Sequence, residues 1–201
     1  MEFWEESFIE KQTMWGFEPT YAATLAKDLF LDNGVKKILI PGIGYGRNAK
    51  IFIENGIDVK GIEISQEAIK LARQNGLAIE ISHGSVDGMP YTEEKFDAIF
   101  CHALLHLLNE KERHHFIQAC YDQLKPGGYL ALTTVSNKAP MYGKGRELSP
   151  NYFEMPYGVN LYFYEEATIQ KDFETYQSIQ ASLIPDKAGA NKQSWYILCQ
   201  K

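Results

Sequence analysis

Apolar residues along the chain fall alternately into short runs and helix-spaced stripes. Lys37 to Ile40, Val59 to Ile64, Leu77 to Ser82, Phe96 to Cys101 and Tyr129 to Val135 are short apolar runs, the pattern of strands buried on both faces. Between them, Thr20 to Leu31 places Ala22, Leu25, Leu29 and Phe30 on one helical stripe that Asn33-Gly34 stops. Arg47 to Glu54 reads as a helix closed by Asn55-Gly56, and Gln66 to Gln74 as one capped by Ser65 and ended by Asn75-Gly76. Asn109 and Glu112 form a capping-box start to a helix with Phe116, Cys120 and Leu124 on one face, ended by Lys125-Pro126-Gly127-Gly128. Glu165 to Tyr176 is helical through Ile169, Phe173 and Tyr176. Strands at Ser178 to Ile184 and Ser194 to Cys199, joined by a polar loop with Pro and Gly, close the chain.

Strands alternating with helices give an α/β fold, a Rossmann-like doubly wound sheet of about seven strands with helices on both faces. The sheet is mostly parallel, and the final pair, joined without a helix, puts one antiparallel strand at the edge. Residues 1–201 read as one domain. The one long irregular stretch, 136–164, is rich in Tyr, Pro and Gly, and a connection of that length is expected to be functional, here a substrate lid.

The net charge of −6 excludes an extended phosphate-neutralising surface, so nucleic acid is not expected as a partner. The three cysteines, Cys101, Cys120 and Cys199, lack CxxC spacing and read as reduced structural thiols. No secretory leader or bilayer-length apolar run is visible; the expectation is a cytoplasmic protein, monomer or homodimer, without membrane contact.

Strand, turn Gly42-Ile43-Gly44-Tyr45-Gly46 and helix follow one another. Glycines let a backbone approach a ligand closely and adopt positive φ, and N–H groups at the turn and helix start favour an anionic group. Glu63 ends the second strand, where a doubly wound fold presents an acid to a ribose. Together they indicate a nucleoside-containing ligand. A nicotinamide site wants G-x-G-x-x-G, and Arg47 stands where the third glycine belongs. An NAD-type oxidoreductase is therefore the less favoured alternative, alongside a non-catalytic binding module.

Ile38 to Asn48 resembles the first motif of class I S-adenosylmethionine-dependent methyltransferases. Val59 to Ser65 resembles the second motif, Gly84 to Pro90 the adenine-binding turn, Phe96 to Leu107 the fourth strand and its helix, and Leu124 to Leu130 the turn before the fifth strand. Within that superfamily the chain is similar to small-molecule enzymes of the thiopurine and tellurite-resistance kind. Phe3-Trp4, Phe8 and Trp15-Gly16 match their aromatic N-terminal cover, here residues 1–19. The resemblance implies S-adenosylmethionine as cofactor, with S-adenosylhomocysteine as product. It implies cofactor contacts at Trp15, Gly42, Ile43, Gly44, Gly46, Glu63, Ile64, Ser85, Val86, Asp87, Cys101 and His102. Two positions depart from the pattern: Ile40 replaces the acid before the first glycine, and Ser85 the acid after Gly84. The first departure leaves the loop to hold the methionine end chiefly through its backbone.

Methyl transfer from a sulfonium to an O, S or N nucleophile of a small molecule is an in-line displacement, and the protein mainly positions the nucleophile and excludes water. His102 and His106, four apart after the fourth strand, are the candidate bases. Their alternatives are a polar cap beside the cofactor for His102 and packing for His106. No ligand spacing for a metal is present. Asn137, Tyr142, Arg146 and Tyr162 are the lid's candidate substrate contacts.

Overall fold

The computed structural model describes residues 2–185 and 192–201. The loop expected between the last two strands lies largely outside the described residues. The chain begins with α1 (Glu2–Lys11) and α2 (Tyr21–Asp32) and enters the sheet at β1 (Lys37–Pro41). α3 (Ala49–Glu54), β2 (Asp58–Glu63), α4 (Gln66–Gln74), β3 (Ile81–His83) and β4 (Phe96–Cys101) follow. Next come α5 (Glu110–Gln123), β5 (Leu124–Val135), three short strands β6 (Arg146–Ser149), β7 (Tyr152–Glu154) and β8 (Asn160–Tyr162), and α6 (Glu166–Asp172). β9 (Ser178–Pro185) and β10 (Lys192–Gln200) end the chain.

The main sheet has seven strands in the order β3-β2-β1-β4-β5-β10-β9. The first five run parallel, and β10 runs antiparallel to both β5 and β9. The reversed strand is thus one place in from the edge, and the edge strand β9 has the parallel sense. Successive residues of β1 face opposite sides, as the pleat requires. Ile38 and Ile40 pack with Phe30 of α2 and Phe52 of α3. Leu39 packs with Phe116 and Cys120 of α5 and Ile169 of α6. Helices therefore cover both faces, which is why the strands read as continuous apolar runs.

Several boundaries differ from expectation. β3 holds only Ile81–His83, because Leu77, whose N–H ends α4 on Ala72 O, turns its side chain to Gly46 and leaves 77–80 unpaired with β2 until Glu80 O meets Gly61 N–H. α3 starts at Ala49, because Arg47 and Asn48 spend their side chains on Glu18 O and Thr20. α6 stops at Asp172, with Phe173 to Tyr176 continuing as turns. Leu124 pairs with Phe96 and Tyr129 with Ala98. Residues 125–128 bulge out of β5, where Gly127 and Gly128 exchange backbone hydrogen bonds with Lys201.

The stretch 136–164 is not irregular. It folds into its own antiparallel sheet, β6-β7-β8, over Ala139, Phe153, Met155, Leu161 and Phe163. The capping box at α5 forms as expected, with Asn109 Oδ1 accepting from Glu112 N–H (3.1 Å) and Glu112 Oε2 from Asn109 N–H (2.8 Å). Asn109→Ala should lower the unfolding free energy by about 1 kcal/mol in urea denaturation; an unchanged midpoint would show that tertiary packing alone sets the start of α5.

Candidate functional site

At the carboxyl ends of β1, β2 and β4 lies a cavity of about 410 Å³, where open α/β sheets bind ligands. Its floor is the glycine turn. Gly42, Gly44 and Gly46 all have positive φ (67°, 57° and 85°), and a Cβ at Gly42 would strike the Leu104 side chain. The turn's N–H groups are largely committed inward. Gly42 and Ile43 donate to Ile62 O (2.8 and 3.1 Å) and Gly46 donates to Ile43 O (3.1 Å). Gly44 donates to Glu63 Oε2 at 2.7 Å. This corrects the expectation that those donors are free for an anion. What the turn offers a ligand is close approach and the carbonyl oxygens of Gly42 and Gly44, which accept no bond among the described residues.

Glu63 is not a solvated acid. Only 5 % exposed, it accepts from Gly44 N–H and, through Oε1, from Ser65 N–H at 2.9 Å. Burial pushes its carboxyl above the usual carboxylate range, against the pull of the Ser65 and Gly44 N–H groups. Two carboxylate oxygens offer about four acceptor positions, so acceptor capacity remains beyond these backbone donors.

The N-terminal segment covers this floor. Trp4, Phe8 and Trp15 line the cavity, and Tyr45, between the second and third glycines, holds them there. Its hydroxyl donates to Gly16 O (2.8 Å) and accepts from Trp15 N–H (3.1 Å). Trp15 stacks on its ring, with centres 6.2 Å apart and 14° between planes. Glu5 ties α1 to the start of α4 by accepting from Ser65 Oγ at 2.6 Å, and that bond is the main reason its carboxyl is held below its ordinary pKa.

The opposite wall is the segment after β4. Ala103 has φ of 54°, a conformation that costs a non-glycine residue about 1–3 kcal/mol. Thr133 on β5 holds it, its Oγ1 accepting from Ala103 N–H (3.0 Å) while also meeting His102 Nδ1 (2.8 Å). The chain then forms the Leu105–Leu107 single 3-10 turn, which brings His106, Leu107 and Leu108 to the cavity.

The expected cofactor residues Trp15, Gly42, Ile43, Gly44, Glu63, Ile64, Ser85, Val86 and His102 all line this one cavity. Gly46, Asp87 and Cys101 do not. Gly46 faces a second cavity of about 300 Å³ on the far side of the turn. Asp87 points to solvent from the Val86–Gly88 turn. Cys101 alternates away from the cavity-lining Phe100 and His102 into the core under α5, where burial pushes its thiol up to about 12.

A methyltransferase domain family matches residues 39–132, which span the glycine turn, Glu63, the adenine-side turn and the wall after β4. A ubiquinone biosynthesis O-methyltransferase from Haemophilus ducreyi is 30% identical over 131 residues, 61% of this chain and 53% of that protein. Its counterpart from Actinobacillus pleuropneumoniae is 29% identical over 116 residues, 53% of this chain and 49% of that protein. Residues 39–132 thus carry a methyltransferase domain, and the fold around them is that of S-adenosylmethionine-dependent methyltransferases. It spans about half the length of the curated relatives it matches. The Burkholderia thailandensis 1,6-didemethyltoxoflavin-N1-methyltransferase, solved with its substrate and S-adenosylhomocysteine, shares the fold at a TM-score of 0.76 and 17% identity, over 100% of this chain and 86% of that one. A Clostridium acetobutylicum S-adenosylmethionine-dependent methyltransferase does so at 0.72 and 12%, over 100% and 99%.

The small sheet β6-β7-β8 does not line the cavity. Of the expected lid contacts, Tyr162 lies under the Arg113 guanidinium (3.6 Å) and Tyr142 donates to Asn151 Oδ1 (2.7 Å). Arg146 pairs with Glu154 (2.6 Å), and Asn137 donates its N–H to Tyr164 O (3.0 Å). The sheet reaches the site only from behind, packing on Leu107. Cys101, Cys120 and Cys199 are free and buried. Among the described residues no helix is long and apolar enough to cross a membrane, and no group of three or more His, Cys, Asp or Glu could hold a metal ion.

Tyr45→Phe removes both hydroxyl contacts of the N-terminal cover. Tryptic cleavage after Lys11 should accelerate several-fold with little change in global stability, since the cover opens locally; an unchanged cleavage rate would mean the rings alone hold it.

Proposed function

We propose that the chain transfers a methyl group from S-adenosylmethionine to an oxygen, sulfur or nitrogen nucleophile of a small molecule. The observation that carries this is the buried Glu63 carboxylate, fixed by Gly44 and Ser65 at the floor of a mostly apolar cavity. The cavity fits the cofactor in three respects. Glu63 keeps acceptor capacity for the ribose hydroxyls. Gly42 and Gly44 offer carbonyl oxygens to the methionine ammonium. Arg47, the sole Lys or Arg among the described lining residues, suits the methionine carboxylate and does so from the position where a dinucleotide site would need glycine. Ser85 and Val86 supply the adenine side, where the usual acid is missing.

Bound S-adenosylmethionine supplies an activated methyl group on a sulfonium with a good leaving group. The chain's own contribution is positioning and exclusion of water. Trp4, Phe8 and Trp15 close the cavity from the N-terminal side, and their π faces suit a cation. Phe100, Leu104, Leu107 and Leu108 wall the other side. An oxygen nucleophile is favoured by the O-methyltransferase relatives, and a small acceptor by the cavity's volume of about 410 Å³.

Two measurements test this reading. In a thermal shift with S-adenosylmethionine, S-adenosylhomocysteine and NAD side by side, either methionine-derived ligand at ~100 times its dissociation constant should add about 2.7 kcal/mol. A shift with NAD alone would overturn the proposal. Glu63→Ala should weaken S-adenosylhomocysteine binding by about tenfold or more; unchanged affinity would show that the carboxylate serves only the turn.

A further inference from the structure

One polar atom behind the cavity wall has no partner. Nδ1 of His106 is enclosed and makes no hydrogen bond among the described residues, while its ring lines the cavity. The ring is fixed in place. It rides the Leu105–Leu107 turn, with Leu105 in the main core and Leu107 packed under the small sheet. A neutral imidazole carries one N–H and one bare nitrogen. An enclosed N–H without an acceptor costs its full desolvation penalty, and such orphans are rarer than unsatisfied acceptors. The proton therefore belongs on Nε2, the nitrogen left for the cavity.

We propose that His106, through Nε2–H, donates a hydrogen bond to the oxygen of a phenolic methyl acceptor, and that it stabilises the phenolate instead of removing its proton. This rests on the cavity being the methyl-transfer site proposed above. Burial, and after it His102, push the ring's pKa down to about 4, so it is neutral at pH 7. A base that weak stands roughly six units below a phenol of tyrosine-like acidity and is poorly matched to take its proton. As a donor the same ring works without titrating.

Oxygen is the nucleophile such a donor suits. A phenolate has lone pairs for both the hydrogen bond and the attack, whereas a neutral amine has one, which the hydrogen bond would block. Sulfur is a weak acceptor. The neighbouring Phe100, Leu104 and Leu108 fit a flat ring. The phenol proton leaves to solvent. The oxygen then bonds the methyl carbon as the carbon–sulfur bond breaks, and sulfur keeps that pair. The other titratable groups on the cavity wall are Tyr45, Arg47, Glu63 and His102. Behind the turn stand Arg113 of α5 and Tyr162 of β8, stacked on each other.

The test uses 4-nitrophenol as probe, on protein saturated with S-adenosylhomocysteine, and reads the probe's ionisation by absorbance. Wild-type protein should bind it and lower its pKa by about one unit. His106→Phe should abolish that shift and weaken binding about tenfold, whereas His106→Gln, which keeps an N–H donor, should retain most of it. Unchanged S-adenosylhomocysteine affinity in both variants shows an intact fold and cofactor floor. Nitrogen NMR of the ring should find the Nε2–H tautomer, neutral at pH 6 and above. No shift in the wild type, an equal shift in the Phe variant, or an Nδ1–H tautomer overturns the proposal. Failure of wild-type protein to bind S-adenosylhomocysteine overturns the proposed function instead, and this inference with it.

Discussion

The site depends on one buried carboxylate. Glu63 closes β2, and its two oxygens take the Gly44 N–H from the first turn and the Ser65 N–H from the start of α4. Three pieces of backbone are thereby locked to a single side chain in a low-dielectric place, where a lost partner costs most. Ser65 passes the constraint on, since its hydroxyl caps α4 through Ala68 N–H and donates to Glu5 of α1. The cavity floor, the helix beside it and the segment over it thus share one hydrogen-bonded chain.

The two walls answer that floor in different ways. The N-terminal wall is aromatic and tethered by the Tyr45 hydroxyl, and Trp15 remains 48 % exposed, as a cover that must admit ligands should. The wall after β4 is rigid. Thr133 holds a left-handed Ala103, and the Leu105–Leu107 turn is gripped between the main core and the small sheet. An exposed cover on one side and a braced wall on the other suit the proposed methyl transfer, in which positioning is most of the catalysis. The small sheet contributes to the second wall by bracing Leu107, without touching the cavity.

The sequence is legible where a local rule and the tertiary outcome coincide. β1, β2 and β4 are buried on both faces, so their apolar runs stand out, and the capping box of α5 needs nothing beyond Asn109 and Glu112. β3 is misjudged because Leu77 is apolar for the sake of the glycine turn, not for pairing. β6 to β8 escape notice because their Tyr-rich, Gly-punctuated strands are each too short to show a period. In the site, Glu63 and the glycines are readable because their spacing is dictated by the turn. Tyr45 and Thr133 are not, because each acts through a partner about thirty residues distant. The idea that the turn holds a ligand by its N–H groups also needs correction: the identity of the acid at position 63 was evident, but not that it occupies the Gly44 donor.

The match across residues 39–132 covers the floor and the post-β4 wall, while Tyr45's tether and the small sheet draw on parts of the chain outside it. The most direct measurement of this arrangement is a crystal structure with S-adenosylhomocysteine bound. The account predicts the ribose hydroxyls within hydrogen-bonding distance of Glu63 and the sulfur directed toward the His102–Leu108 wall. A ribose turned away from Glu63, or the ligand seated in the cavity on the far side of Gly46, would contradict it.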